Sequence, residues 1–183
     1  MKRMTMCAAA AASLALVACA SQRDEEGPLA GVPLGPSSAA ADLADAGGRV
    51  LARATAEEAG DGVRVRIEAA GLAPGAYGAH VHTTGRCEAP GFTTAGPHWN
   101  PTGQQHGKDN PAGMHKGDLP NLLVGADGAG SFEYTVLGAA IGGSPSAMLD
   151  ADGAAVVIHQ RADDYRTEPS GNSGDRIACG VLR

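Results

Sequence analysis

The clearest signal along this chain is alternation. Val63, Val65 and Ile67 take turns with Arg64, Arg66 and Glu68, so a strand here buries one face and wets the other. Residues 49–56 form another clear strand, and Ala41 with Leu43 line one face of a first strand that turns at Ala46-Gly47-Gly48. Further short strands are expected at 80–82, 121–124, 131–136, 154–159 and 177–182. Between them stand turn chemistry at 71–78, the hairpin signal Ala126-Asp127-Gly128 and the turn Asp150-Ala151-Asp152-Gly153. Eight short strands with regular turns and no amphipathic helix predict an all-β fold, an antiparallel sandwich or barrel.

Composition adds little to that picture except at the N-terminus. Aromatic residues are only 3% of the chain and glycine is abundant, which suits short strands and turns better than packed helices. A length of 183 residues implies one domain, with or without extensions. The formal net charge of −6 argues against a nucleic-acid surface. Lys2 and Arg3 precede a small apolar run at 6–18, too short to span a membrane as a mature helix. The run ends Leu16-Val17-Ala18-Cys19, which resembles a bacterial lipobox, where cleavage leaves Cys19 as a lipid-modified N-terminus. The alternative is an ordinary secretory signal with an incidental cysteine. Residues 1–18 are therefore expected as a lipoprotein signal peptide, 19–39 as a lipid-anchored flexible tether, and 40–183 as the folded domain. The tether, rich in Gly, Pro, Ser and Ala, has a typical reach of ~25 Å. The expected location is the periplasm or cell envelope, with the protein held to a membrane by its N-terminal lipid.

The histidines change the picture most. Five of the six lie between His80 and Asp118, at positions 80, 82, 98, 106 and 115, and the sixth, His159, ends an apolar run. That concentration argues for metal. His80 and His82 flank Val81, and His159 shares the parity of Ala155 and Val157, opposite to Val156 and Ile158. Both strands therefore bury valine and present histidine outward, placing metal outside the sheet. His98, His106, His115 and Asp118 lie in a Gly-, Pro- and Asn-rich segment that is not expected to hold regular structure. Three imidazoles and a carboxylate make a complete tetrahedral zinc set, and imidazoles in a plane suit copper(II).

The segments HVH, AGPHWNP, MHKGDLPNL, VVIHQRADD and GNSGDRIACGV resemble copper–zinc superoxide dismutase, with the likeness running from about residue 48 to 183. The resemblance implies an eight-stranded Greek-key barrel with long metal-binding and electrostatic loops. It implies copper on His80, His82, His98 and His159, and zinc on His98, His106, His115 and Asp118. His98 would bridge the metals and exchange a proton during turnover, the substrate being the superoxide anion. Arg176 matches the family's anion-guiding arginine, and Asp163 matches the carboxylate that links a copper histidine to a zinc histidine, here His80 and His106. Asp164 reads as a solvated loop charge, and Trp99 as a packing residue beside the bridge. Cys87 and Cys179 match a pair that ties the metal-loop region to the last strand; two free thiols remain the alternative.

The chain departs from many eukaryotic members, which carry a lysine and a threonine just before Gly-Asn. Here Pro169 and Ser170 stand there. Lys108, Lys116, Arg161 and Arg166 are candidates for additional steering. A non-catalytic copper- or zinc-binding lipoprotein for metal buffering or delivery is the alternative function. A homodimer stays open.

Overall fold

The computed structural model describes residues 37–183. The expected signal peptide, the expected lipidation site Cys19 and the expected tether up to residue 36 lie outside these residues. Alternation gives way to strands where it predicts them: β1 (Ser38–Ala44), β2 (Val50–Ala59), β3 (Gly62–Ala70), β5 (Ala79–His82), β6 (Leu122–Val124), β7 (Ala129–Leu137), β8 (Ala155–His159) and β9 (Arg176–Val181). β1 starts two residues before the expected start of the domain.

One strand departs from the sequence reading. Part of the 71–78 turn segment forms β4 (Gly75–Tyr77), paired antiparallel with β6. It escapes a pattern search because it is three residues long and ends one residue, Gly78, before β5. The described residues therefore hold nine strands rather than eight.

Seven strands form one curled antiparallel sheet in the order β5-β8-β9-β1-β2-β3-β7, and β4 with β6 form a second, which packs β6 beside β7. β5 and β7 are thus the two edges of the larger sheet, and its curl encloses the core. Val63, Val65 and Ile67 of β3 and Leu43 of β1 are fully buried, while Arg64, Arg66 and Glu68 face water. Each fully buried aliphatic side chain contributes about 1.5–3 kcal/mol. A slip of one residue between β2 and β3 would exchange the faces and expose all three apolar residues of β3, so register is strongly fixed.

Two features place the site. Val81, Val156 and Ile158 point into the main core, whereas Ala155 and Val157 join Phe92, Ala95 and Cys179 in a small cluster on the outer face of β8 and β9. The disulfide Cys87–Cys179 closes that cluster, with a Cα–Cα distance of 5.6 Å across a separation of 92 residues. It pins the segment carrying Phe92 and the 3₁₀ turn Thr93–Ala95 onto the sheet.

The glycine-rich segment is also more regular than its composition suggests. Isolated bridges join His80 to Asp118, His82 to His98 and Gln105 to Gly113. Backbone bonds run from Val81 N to Gly117 O (2.9 Å), Trp99 N to Val81 O (2.8 Å) and Gly117 N to Trp99 O (2.8 Å). Trp99 is buried in the main core at the same place. The segment therefore grips β5 at two points.

Candidate metal centre

Period two in β5 puts His80 and His82 on the face away from the core, and β8 brings His159 beside them through the pairing of Ala79 with Ile158 and His82 with Ala155. The outward placement holds, but the loops above cover it: all six histidines and Asp118 are buried. His80, His82, His98 and His159 form one set of potential ligands, and His98, His106, His115 and Asp118 another, the ligand atoms of each set lying within 4.8 Å of one another.

Hydrogen bonding fixes the orientation of each ring in the first set. The His80 imidazole donates from Nε2 to Asp163 Oδ2 at 2.7 Å, His82 from Nδ1 to Gly96 O at 2.8 Å, and His159 from Nδ1 to Gly174 O at 3.1 Å. The opposite nitrogens, His80 Nδ1, His82 Nε2 and His159 Nε2, are buried and have no partner, as is His98 Nε2. A buried polar atom left unpaired costs about 1–3 kcal/mol, and four in one place require an explanation. Their bare lone pairs make a donor set for a metal that favours imidazole, which fits copper.

The second set has a different signature. His98 Nδ1, His106 Nδ1 and His115 Nδ1 lie 2.9, 3.0 and 3.1 Å from one atom, Asp118 Oδ1. Metal–ligand bonds of about 2.0–2.1 Å in a tetrahedron give ligand–ligand edges of ~3.3 Å, so this spacing suits zinc. Asp118 Oδ2 accepts from the Gly107 and His115 main-chain N–H groups at 2.9 and 3.0 Å. His98 is the residue common to both sets, with one ring nitrogen directed to each.

Burial dominates the electrostatics of the first set. It lowers His80 to about 3, with the His98 ring adding to the effect, and His159 to about 4. Burial also pulls His82 well below the ordinary imidazole range and lowers His98. These rings are neutral in the metal-free protein, ready to act as ligands. His106 goes the other way. Burial would lower it, but hydrogen bonds to Asp118 and Asp163 outweigh that and raise it to about 9. Burial pushes both carboxyls upward, yet the imidazoles around them hold Asp118 and Asp163 well below the ordinary carboxylate range.

Asp163 joins the two sets, with Oδ2 on His80 Nε2 and Oδ1 on His106 Nε2 at 3.0 Å. It is itself held by Asn121 and the Tyr165 N–H, two contacts without a sequence signature. Asp164 does more than carry a solvated charge. Its carboxylate accepts from the Arg166 and Thr167 N–H groups, the Thr167 hydroxyl and the Asn172 amide, so it organises the turn. The Thr167 hydroxyl is the chief cause that draws it down to about 2.

Arg176 opens β9 directly opposite His159. Its guanidinium donates from Nη1 to Phe92 O at 2.7 Å and from Nη2 to Gly96 O at 2.8 Å. Burial lowers its pKa, though a guanidinium remains charged. A cleft of about 560 Å³ runs past Arg176, His98, His159, Pro169 and Ser170. The cleft is not lined by Lys108, Lys116, Arg161 or Arg166. Lys108 sits over the Tyr165 ring at 4.3 Å, Lys116 donates to Leu137 O, and Arg161 to Asn172 O.

The profile of copper/zinc superoxide dismutase matches residues 46–182. The chain belongs to that family. With membership come copper and zinc as cofactors and the superoxide dismutase class of enzyme. The superoxide dismutase [Cu-Zn] of Caulobacter vibrioides is 41% identical over 149 residues, covering 80% of this chain and 86% of that protein. The superoxide dismutase-like protein YojM of Bacillus subtilis is 48% identical over 124 residues, 67% of this chain but only 63% of that protein. Among solved structures, a SOD-like protein from Bacillus subtilis superposes with a TM-score of 0.74 at 41% identity, covering 79% of this chain and 97% of that one.

Proposed function

We propose that this protein dismutes superoxide at a copper ion held by His80, His82, His98 and His159, with His98 shared with a zinc ion on His106, His115 and Asp118. The observation that carries the reading is His98: its Nε2 stands among the unpartnered nitrogens, and its Nδ1 stands in the N₃O cluster around Asp118. Bound copper supplies alternating one-electron exchange, by which two superoxide anions and two protons become oxygen and hydrogen peroxide. The chain does the rest. Arg176, pinned by two carbonyls and half-buried at the cleft, docks the anion beside His159. His98 lines the same cleft and is placed to hold a proton at Nε2 and return it to the departing peroxide. Asp163 keeps the Nε2 proton on His80, so that His80 Nδ1 stays a ligand.

The test is metal analysis by mass spectrometry beside a superoxide-consumption assay on purified protein. Copper and zinc in equal amounts with rapid consumption are expected. Both metals bound with no consumption would instead favour the metal-buffering role. The lipobox reading implies that Cys19 carries lipid and holds the protein to a membrane of the cell envelope. Cys19→Ser should then release it to the soluble fraction or block processing, and wild-type protein that is soluble with no lipid mass defeats that part.

A further inference from the structure

Arg176 and Glu168 are the formally charged side chains that line the cleft, and Glu168 has the sign of the substrate. A carboxylate at the entrance of an anion channel opposes capture, so its presence needs a return. The return is visible on its other side. The His106 main-chain N–H donates to Glu168 Oε1 in a short contact, and His106 is one of the four N₃O residues. Neighbouring contacts run the same way: the Asp109 N–H donates to Tyr165 O at 3.1 Å, and Asp163 Oδ1 meets His106 Nε2. Close packing supports them, since a Cβ on Gly107 would fall 2.0 Å from Tyr165 O. The segment 163–168 thus grips the segment 106–109, and Glu168 is its outermost hold, exposed to solvent and facing the cleft.

We infer that Glu168 is a positioning residue that retains zinc by clamping the His106 backbone, and that its charge slows anion capture. The inference rests on the zinc assignment above. A charge-assisted hydrogen bond to the main chain of a ligand residue is worth roughly ten- to hundredfold in metal retention. One negative charge near the anion's path costs about twofold in capture rate at low ionic strength.

Two variants separate the clamp from the charge. Glu168→Ala removes both; Glu168→Gln keeps an oxygen that accepts from the His106 N–H and removes only the charge. Zinc release into a chromogenic chelator is followed for each, and kcat/KM for superoxide is measured from low to high salt. Glu168→Ala should release zinc roughly ten- to hundredfold faster than wild type, while Glu168→Gln, whose neutral oxygen still accepts from the His106 N–H but more weakly, should fall between the two. Glu168→Gln should capture superoxide about twofold faster at low ionic strength, with the difference closing in high salt. Release from Glu168→Ala at the wild-type rate overturns the clamp. Equal capture by Glu168→Gln and wild type at low ionic strength overturns the cost of the charge. Wild-type chain that holds no zinc at all overturns the site assignment and takes this inference with it.

Discussion

Replacing Asp118 by asparagine changes one atom, and the structure shows why that atom has no good place to go. Oδ1 faces three imidazole nitrogens at 2.9, 3.0 and 3.1 Å, and Oδ2 accepts from the Gly107 and His115 N–H groups. If the asparagine oxygen faces the imidazoles, its NH₂ confronts two buried main-chain donors. If the amide flips, the NH₂ faces the metal position and the ligand is lost. In the first orientation two orphaned donors cost about 1–3 kcal/mol each, or about 2–6 kcal/mol together. If that penalty falls on the zinc-bound form, affinity drops by roughly 30- to 3 × 10⁴-fold. Copper should stay, because His80, His82 and His159 are oriented by Asp163, Gly96 O and Gly174 O and not by Asp118. Activity should persist in part and become more sensitive to pH. The assay is competitive zinc titration against a chelator, with copper quantified in the same samples. The partner variant, His159→Ala, should abolish turnover with zinc retained. Copper loss from Asp118→Asn with zinc retained, or zinc affinity within threefold of wild type, would refute the reasoning.

Arg176→Glu should lower kcat/KM for superoxide by tenfold or more at low ionic strength with both metals still bound, local-field steering being a known property of this family; equal rates in the two proteins remove the docking role. Opening the Cys87–Cys179 disulfide by serine at both positions should lower stability by at most about 4–5 kcal/mol on the chain-entropy account, read from denaturant midpoints. No change would mean that the outer cluster around Phe92 holds unaided. The metal-free protein should lose stability as pH falls below ~6.5, because the unfolded chain takes up protons on histidines that the fold keeps neutral, His80 down to about 3 and His159 down to about 4. His106, raised to about 9, contributes fully below ~6.5 and does not offset that loss. A denaturation midpoint that is flat or rising between pH 7 and pH 5 would show that these rings are not buried neutral.

The residues that speak through side chains are legible in the sequence, and those that act through the main chain are not. Period two around Val81 and Val157 is enough to send His80, His82 and His159 to one face, and the structure puts them there. Their partners Gly96 O and Gly174 O leave no mark in composition, because any residue supplies a carbonyl. The same holds for Phe92 O, which takes Arg176 Nη1. β4 is too short for a period to show, and the bridges that stitch His98 and Asp118 to β5 lie in a segment whose Gly and Pro content argues for loop. Glu168 carries a side-chain signal, but a lone glutamate near Pro169 reads as surface until the His106 N–H is seen against it.

Gly96 O receives two hydrogen bonds that belong to different tasks, one from His82 Nδ1 and one from Arg176 Nη2. The residue that carries it is hard to exchange: its φ is 76°, and a Cβ would stand 2.7 Å from Thr83 Oγ1. Evolution therefore meets a shared constraint at this oxygen. On the proposed function, any change that moves this carbonyl shifts the guanidinium that meets the anion and an imidazole of the copper set together. In that reading the tuning of electron transfer and the tuning of substrate arrival are linked at this one oxygen.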